Sequence, residues 1–107
     1  MKALTIRRSK NGENTFAAPA PDFVNAYTLA ADTFVTFAVP EGAGTVMFSA
    51  LADFYVAYDA NASVPTTNVT DGSASELNPT VRSVTDLNAI SLISPTNDNI
   101  VTLSFYA

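Results

Sequence analysis

The segment at residues 45–58, TVMFSALADFYVAY, constrains the fold of this chain more than any other stretch. Val46 and Phe48 share one face of its first half, and Phe54 and Val56 share one face of its second half. Alternation with a period of two is typical of β-strands that bury one face. Turn-forming residues flank the segment on both sides. The pattern therefore predicts two short strands that fold back on each other as a hairpin.

The rest of the chain repeats this pattern of short segments separated by turn residues. Further strand candidates are residues 3–8, 14–16, 27–31, 33–39, 80–84, 89–94 and 100–106. Turn formers recur about every 8–12 residues, and no stretch has the apolar period of a convincing helix. We therefore predict an all-β fold, an antiparallel β-sandwich or jelly roll of about seven to nine short strands.

Two of these candidates carry additional information. Segment 33–39 has apolar residues on both faces, which indicates either an interior strand or a strand with one face in the core and the other in an interface. Segment 100–106 alternates aliphatic and polar residues almost to the last residue. Because chain ends fray unless they are docked, we expect this strand to be built into a sheet.

The chain of 107 residues is long enough for one hydrophobic core. Residues 1–25 are predicted to form an N-terminal arm or edge hairpin, with Asn11-Gly12 as a type I′ turn. Residues 26–107 are predicted to form a single β-sandwich domain. Within that domain, residues 59–79 are small, polar and too numerous for a hairpin loop, which predicts a functional or mobile loop.

The net charge of −5 is distributed unevenly along the chain. The first ten residues contain four of the five basic side chains and no acid: Lys2, Arg7, Arg8 and Lys10. The remainder contains ten acidic residues and one basic residue, Arg82. This acidic remainder of the chain is unsuited to binding nucleic acid, because phosphate contacts need Lys and Arg. The basic arm is predicted either to contact an acidic neighbour or to be a solvated edge strand that discourages unwanted pairing.

The residue types exclude most catalytic chemistry. Without His or Cys, the chain cannot form a Ser-His-Asp or Cys-His arrangement, and a metal site would need oxygen ligands alone. The acidic loops beginning at Asp59 and Asp71 lack a recognised metal-binding spacing, so we interpret them as turns that hydrogen-bond their own backbone. We expect neither enzymatic activity nor a cofactor. No apolar run approaches the ~18 residues that span a bilayer, and no secretory signal peptide is expected.

Two tyrosines are the best candidates for a binding surface in the body. Tyr55 points away from the predicted core face of its strand, whereas Tyr58 falls on the same face as Phe54 and Val56. A tyrosine ring offers contact area together with a polar tip, so both residues are candidates for protein or sugar contact. The alternative interpretation is that Tyr55 belongs to a second core face of the sandwich.

Several stretches resemble small virion structural proteins of tailed bacteriophages. The resemblance covers residues 33–107, roughly 70% of the chain. It is carried by the Val39-Pro40-x-Gly42 turn, the Asp53-Phe54-Tyr55-Val56 run, the loop from Asp71-Gly72 to Asn78-Pro79, and the last strand, VTLSFYA. Proteins of this appearance include the jelly-roll cement or decoration proteins of capsids.

The resemblance implies a location on the capsid surface, after synthesis in the host cytoplasm. It also implies contact with the major capsid protein and a homo-oligomer, a dimer or a trimer. No set of functional residues carries over, because such proteins work through whole surfaces. Two alternatives stay open: a tail or head-tail adaptor module, and a carbohydrate-binding module that uses Tyr55 or Tyr58.

Overall fold

The structure is a computed structural model that describes residues 1–4 and 18–107, together with the backbone of Arg7–Arg8 and Asn14–Thr15. All regular secondary structure in this part of the chain is β-strand, so the all-β prediction is confirmed. The described residues include no helix long and apolar enough to cross a membrane.

The described residues form ten strands. They are β1 (Arg7–Arg8), β2 (Asn14–Thr15), β3 (Val24–Leu29), β4 (Val35–Ala38), β5 (Thr45–Ala50), β6 (Tyr55–Tyr58), β7 (Glu76–Leu77), β8 (Val81–Ser83), β9 (Ala89–Ile93) and β10 (Asn99–Tyr106). The predicted strands 27–31, 33–39, 80–84, 89–94 and 100–106 each correspond to one of these. β7 is an additional strand within the predicted long loop.

Eight of the strands form two antiparallel sheets that pack as a sandwich. Sheet I has the order β3-β10-β5-β8, and sheet II has the order β4-β9-β6-β7. Successive strands therefore pass repeatedly from one sheet to the other, and this strand order is that of a jelly roll. β1 and β2 form a separate antiparallel pair, with Arg7 opposite Thr15. The Asn11-Gly12 turn predicted for this part of the chain lies outside the described residues.

The hydrophobic core lies between the sheets and is centred on their inner strands. Val101, Leu103 and Phe105 of β10 face Ile90 and Leu92 of β9, and all five side chains are fully buried. β10 runs between β3 and β5 in sheet I, so the last strand is built into the sheet as the sequence predicts. Burying large aliphatic and aromatic side chains stabilises a fold by about 1.5–3 kcal/mol each.

The predicted hairpin at residues 45–58 is wrong. β5 pairs with β10 and β8 in sheet I, whereas β6 pairs with β9 and β7 in sheet II. The residues between the two strands form a corner that carries the chain across the sandwich, where a hairpin turn would have kept it within one sheet. A hairpin within one sheet and a corner between two sheets have the same period-two alternation, because each strand buries one face in either arrangement.

Buried polar side chains explain why the chain turns a corner at this point. The Asn99 side chain is buried at the start of β10, where its Oδ1 accepts the Ala52 N–H at 2.9 Å. Its Nδ2 donates to the carbonyls of Ala52 and Asp53 at 3.0 and 3.1 Å. The Ser94 hydroxyl also donates to the Asp53 carbonyl, at 2.7 Å. These bonds satisfy backbone groups that a hairpin ladder would otherwise have paired.

The position of β4 also contradicts one of the two interpretations that the sequence allowed for residues 33–39. It lies at the edge of sheet II and pairs only with β9 in the described part of the chain. The interior-strand interpretation of residues 33–39 is therefore wrong. Phe37 faces the core, whereas Phe34, just before the strand, remains 47% exposed.

The loop after β6 packs on the outside of sheet II. The Ala62 N–H donates to the Ser91 hydroxyl oxygen at 2.8 Å, and Thr36 Oγ1 donates to the same oxygen at 3.1 Å. Ser91 is fully buried although it points away from the core, because this loop covers it. The loop therefore forms an ordered outer layer on this sheet.

Candidate protein-contact surfaces

The outer face of sheet I is a broad surface without charged side chains. Strand register and alternating burial identify the residues that point outward from its four strands. We call this set the sheet I outer face: Val24, Ala26, Thr28, Thr45, Met47, Ser49, Val81, Ser83, Ile100, Thr102 and Ser104. Its members are apolar or carry small hydroxyl groups. The aliphatic corners are well exposed, Val24 at 48% and Val81 at 42%.

One end of this face is covered by the chain itself. Tyr106 points outward from β10 but is buried, and its hydroxyl donates to the Pro19 carbonyl at 2.8 Å. Residues 18–22 therefore lie over the end of the sheet, whereas the sheet I outer face stays accessible. Depletion of charge is what distinguishes the centre of protein–protein interfaces from ordinary surface. In a chain of net charge −5, an uncharged surface four strands wide is therefore a candidate interface.

The outer face of sheet II presents a groove instead. The groove has a volume of about 550 Å³ and lies between the covering loop and the exposed ring of Phe34. Ile93, Val64, Asp32 and Asn61 also line it. Apolar side chains together with a few polar groups are the usual lining of a small-ligand site.

Tyr55 lies on the same outer side of sheet II. It is opposite Ile93 of β9 and Leu77 of β7, and its side chain is half-buried. Its position is thus compatible with the predicted surface contact, since no core lies on that side. The expected second core face is replaced here by the loop layer over Ser91 and Ile93.

Tyr58 lies on the opposite face of β6 and takes part in a polar cluster at the β7/β8 side of the sandwich. Its hydroxyl donates to Glu76 Oε1 at 2.9 Å. Arg82 donates to both oxygens of Glu76, from Nε at 2.9 Å and from Nη2 at 3.0 Å. Since Glu76 is in sheet II and Arg82 is in sheet I, the cluster joins the two sheets along this side.

The cluster also shifts the ionisation of its members. Burial, followed by the hydrogen bond and charge of Glu76, raises the pKa of Tyr58 above its ordinary value. The hydrogen bond from Arg82 is the main reason that the pKa of Glu76 is lowered below 4.5. The Arg82–Glu76 contact in turn raises the pKa of Arg82. The ion pair is therefore fully charged at neutral pH.

Glu76 should make the stability of the protein dependent on acid pH. Because its pKa is lower in the folded state, its contribution is present above about pH 4.5 and is lost as the pH falls through the folded value. The urea midpoint of wild type should therefore exceed that of Glu76→Gln at pH 7, and the difference should shrink at pH 2.5. In an Arg82→Gln background, the effect of Glu76→Gln on the urea midpoint should depend less on pH. An equal difference at both pH values would contradict the assigned role of the ion pair.

The basic residues predicted as contacts are only partly described. Lys2 is exposed, its N–H donates to Asp22 Oδ1 at 3.0 Å, and its carbonyl accepts the Ala107 N–H at 2.8 Å. Arg7 and Arg8 lie in β1, but their side chains and the whole of Lys10 lie outside the described residues. Among the described contacts, no hydrogen bond or ion pair joins Lys2 to Tyr55 or Tyr58. Of the predicted contact residues that are described, Tyr55 and Tyr58 lie on opposite faces of β6, so they do not share one surface.

Sequence reasoning missed the sheet I outer face. Charge was counted along the chain, whereas this surface arises only when β3, β10, β5 and β8 are aligned side by side. The available signal was that the outward positions of all four strands lack Asp, Glu, Lys and Arg. That signal becomes readable only when the partner of each strand is known.

The loop at Asp71 hydrogen-bonds its own backbone as expected, whereas the Asp59 carboxylate bonds a segment that is distant in sequence. Asp71 Oδ1 accepts the Ser73 N–H at 3.1 Å and the Ser73 hydroxyl at 2.6 Å, which lowers the pKa of Asp71. Asp59 Oδ1 accepts the N–H groups of Asn88 and Ala89 at 2.9 and 2.8 Å. Within the described ranges, no group of three or more acidic side chains is placed to hold a metal ion. These carboxylates stabilise loops.

Comparison with known proteins adds no identification. No family model, no curated protein and no solved structure matches this chain. The function must therefore be argued from the fold and from its surfaces.

Proposed function

We propose that this protein is a structural component of a bacteriophage virion, of the cement or decoration type, which stabilises the capsid by binding the major capsid protein. The observation that carries the proposal is the uncharged sheet I outer face, which spans four strands of the jelly roll. The resemblance in residues 33–107 supplies the class of partner. The jelly roll supports the proposal because many viral capsid proteins use it.

The chemistry of the surface favours a flat protein partner. Small hydroxyl and aliphatic side chains allow close approach, and few long side chains must be immobilised on binding, which lowers the entropic cost. Ser49 and Thr102 are opposite each other in the β5–β10 register and lie near the centre of this face. A coat-protein surface that lacks charge at its own centre would complement them without leaving a buried charge unpaired.

The proposal predicts that a charge at the centre of this face blocks capsid binding. Ser49→Arg should lower the affinity for capsids at least about tenfold, because the interface would have to bury an unpaired guanidinium. The measurement is the occupancy of particles from a gene-deleted phage after titration with purified protein, followed by cryo-electron microscopy. Ser49 is exposed in the free protein, so the variant should fold normally.

Thr67→Arg is the matched control, since it adds the same charge on the exposed loop over sheet II. It should bind capsids as wild type does. If Ser49→Arg and Thr67→Arg bind equally well, the sheet I outer face is not the contact. If the wild-type protein binds no capsid but occupies the tail or the head-tail junction, the adaptor alternative replaces the cement role.

The groove beside Phe34 supports carbohydrate binding as a second candidate. The exposed Phe34 ring can stack on a sugar, and Asp32 and Asn61, which also line the groove, can hydrogen-bond its hydroxyls. This site differs from the predicted Tyr58 site, because Tyr58 faces the core and hydrogen-bonds Glu76. Glycan binding that is unchanged by Ser49→Arg, together with absence from virions, would favour this function over the first.

A further inference from the structure

The two sides of the sandwich are protected very differently against pairing with another strand. On one side the edge strands are β7 and β8, which have two and three residues and carry Glu76 and Arg82. Short, charged edge strands are a common protection against edge-to-edge association. On the other side lie β3, with six residues, and β4, with four. Neither β3 (VNAYTL) nor β4 (VTFA) contains a charged residue or a proline.

The hydrogen-bond pattern of β3 shows which backbone groups are available. The Phe105 N–H donates to the Phe23 carbonyl at 2.9 Å, next to the register pair of Ser104 and Val24. Since hydrogen-bonded and non-hydrogen-bonded pairs alternate in antiparallel sheets, Asn25, Tyr27 and Leu29 face β10. The N–H and C=O groups of the other three residues, Val24, Ala26 and Thr28, point away from the sheet. No described residue hydrogen-bonds to these groups.

The side chains of β3 leave this edge accessible and hold it in an extended conformation. Tyr27 points inward and stacks on Phe37 of β4, with ring centroids 4.5 Å apart and an interplanar angle of 13°. The stack fixes β3 above β4 and closes the core on this side. The outward side chains of Val24, Ala26 and Thr28 are small and exposed, so they do not obstruct an approaching strand.

We propose that two copies of this chain associate through β3, which pairs antiparallel with the same strand of the partner about a two-fold axis at Ala26. In this register Ala26 is opposite Ala26 of the partner subunit, and Val24 is opposite Thr28 of the partner subunit. The backbone N–H and C=O groups of Val24, Ala26 and Thr28 point away from β10. In this register, each of these residues therefore faces a partner residue that can both donate and accept a backbone hydrogen bond. Sheet I then continues across the dimer.

The self-complementary register favours a second copy of this chain, and not another extended segment, as the partner of β3. A two-fold axis at Ala26 keeps outward side chains beside outward side chains, and it places Asn25 beside Tyr27 of the partner subunit on the inner side. No like charges meet, because β3 has none. Such an isologous contact closes after two copies and does not propagate into a filament. This dimer contact is made by the backbone edge of β3, and its formation does not require the proposed capsid contact.

Hydrogen exchange measured by NMR tests the pairing directly. In dilute protein, the amides of Asn25, Tyr27 and Leu29 should be protected, whereas those of Val24, Ala26 and Thr28 should exchange rapidly. As the concentration is raised through the dimerisation range measured by sedimentation equilibrium, the second set should become protected. A dimer in which the Ala26 amide still exchanges rapidly would overturn the proposal, as would a protein that stays monomeric at millimolar concentration.

Ala26→Pro provides the matching variant. It removes an N–H that faces away from β10, and proline is tolerated on edge strands at such positions. The variant should be monomeric in sedimentation equilibrium at concentrations where the wild-type protein is dimeric. Ala26→Lys, which adds a charge without restricting the backbone, should also be monomeric. Ser49→Arg should remain dimeric. Dimerisation lost in Ser49→Arg but retained in Ala26→Pro would assign self-association to the sheet I outer face instead.

Discussion

Asn99→Ala should destabilise the protein by about 2–4 kcal/mol, a large part of the stability of a domain of this size. The substitution leaves the Ala52 N–H without its acceptor and removes the donor to the carbonyls of Ala52 and Asp53. It also creates a small cavity beside Ser94. The loss should appear as a lower urea midpoint with an unchanged slope of unfolding free energy against urea concentration.

Asn68→Ala is the appropriate control for this experiment. Asn68 is exposed in the loop over sheet II, so its replacement should change the unfolding free energy by less than about 0.5 kcal/mol. If Asn99→Ala costs no more than Asn68→Ala, the corner between β5 and β6 does not depend on the Asn99 side chain. Another contact would then have to stabilise this corner, such as that of the Asn78 side chain, whose Oδ1 accepts the Phe54 N–H at 3.0 Å.

Phe105→Ala should destabilise the protein even more than Asn99→Ala, by about 3–5 kcal/mol. Phe105 is fully buried at the centre of the sandwich, and its ring makes an edge-to-face contact with Phe23 at 6.0 Å between centroids. Removing the ring loses the transfer free energy of its carbons and leaves a cavity between the sheets. Equilibrium denaturation by urea, followed by tyrosine fluorescence, measures this loss.

Phe34→Ala supplies the comparison within the same residue type. Phe34 is about half exposed at the groove, so its truncation should cost less than about 1 kcal/mol. The difference between the two variants tests whether the core is organised around β10. Equal effects for Phe105→Ala and Phe34→Ala would contradict that assignment.

The sequence was sufficient for most of the strands, with β7 as an exception, but insufficient for strand pairing. Alternation in residues 89–94 and 100–106 identified β9 and β10 nearly to the residue, because only one register of a strand buries its apolar set. The same alternation in residues 45–58 predicted a hairpin where the structure has a corner. A buried strand looks alike whichever sheet it joins, and the decisive contact comes from Asn99, which is distant in sequence from the corner that it stabilises.

The candidate surfaces were predictable to different degrees. Tyr55 was correctly placed on the side of β6 away from the core, because side chains alternate along a strand. Tyr58 was assigned to the core side of the same strand, but its hydrogen bond to Glu76 could not be foreseen, since β7 was unrecognised. The groove beside Phe34 depends on a loop that folds over sheet II, and nothing in the composition of that loop predicts where it lies.

The sequence by itself determined the all-β class, the positions of the main strands and the absence of His and Cys chemistry, because these depend on residue type and on local periodicity. Only the tertiary structure decided the jelly-roll strand order, the uncharged outer face of sheet I and the position of β3 at a sheet edge, where the described residues give it no second partner. Each of these arises from strands that are distant in sequence and adjacent in space. Their pairing is selected by the combined burial and hydrogen bonding of the whole sandwich, which no local pattern encodes.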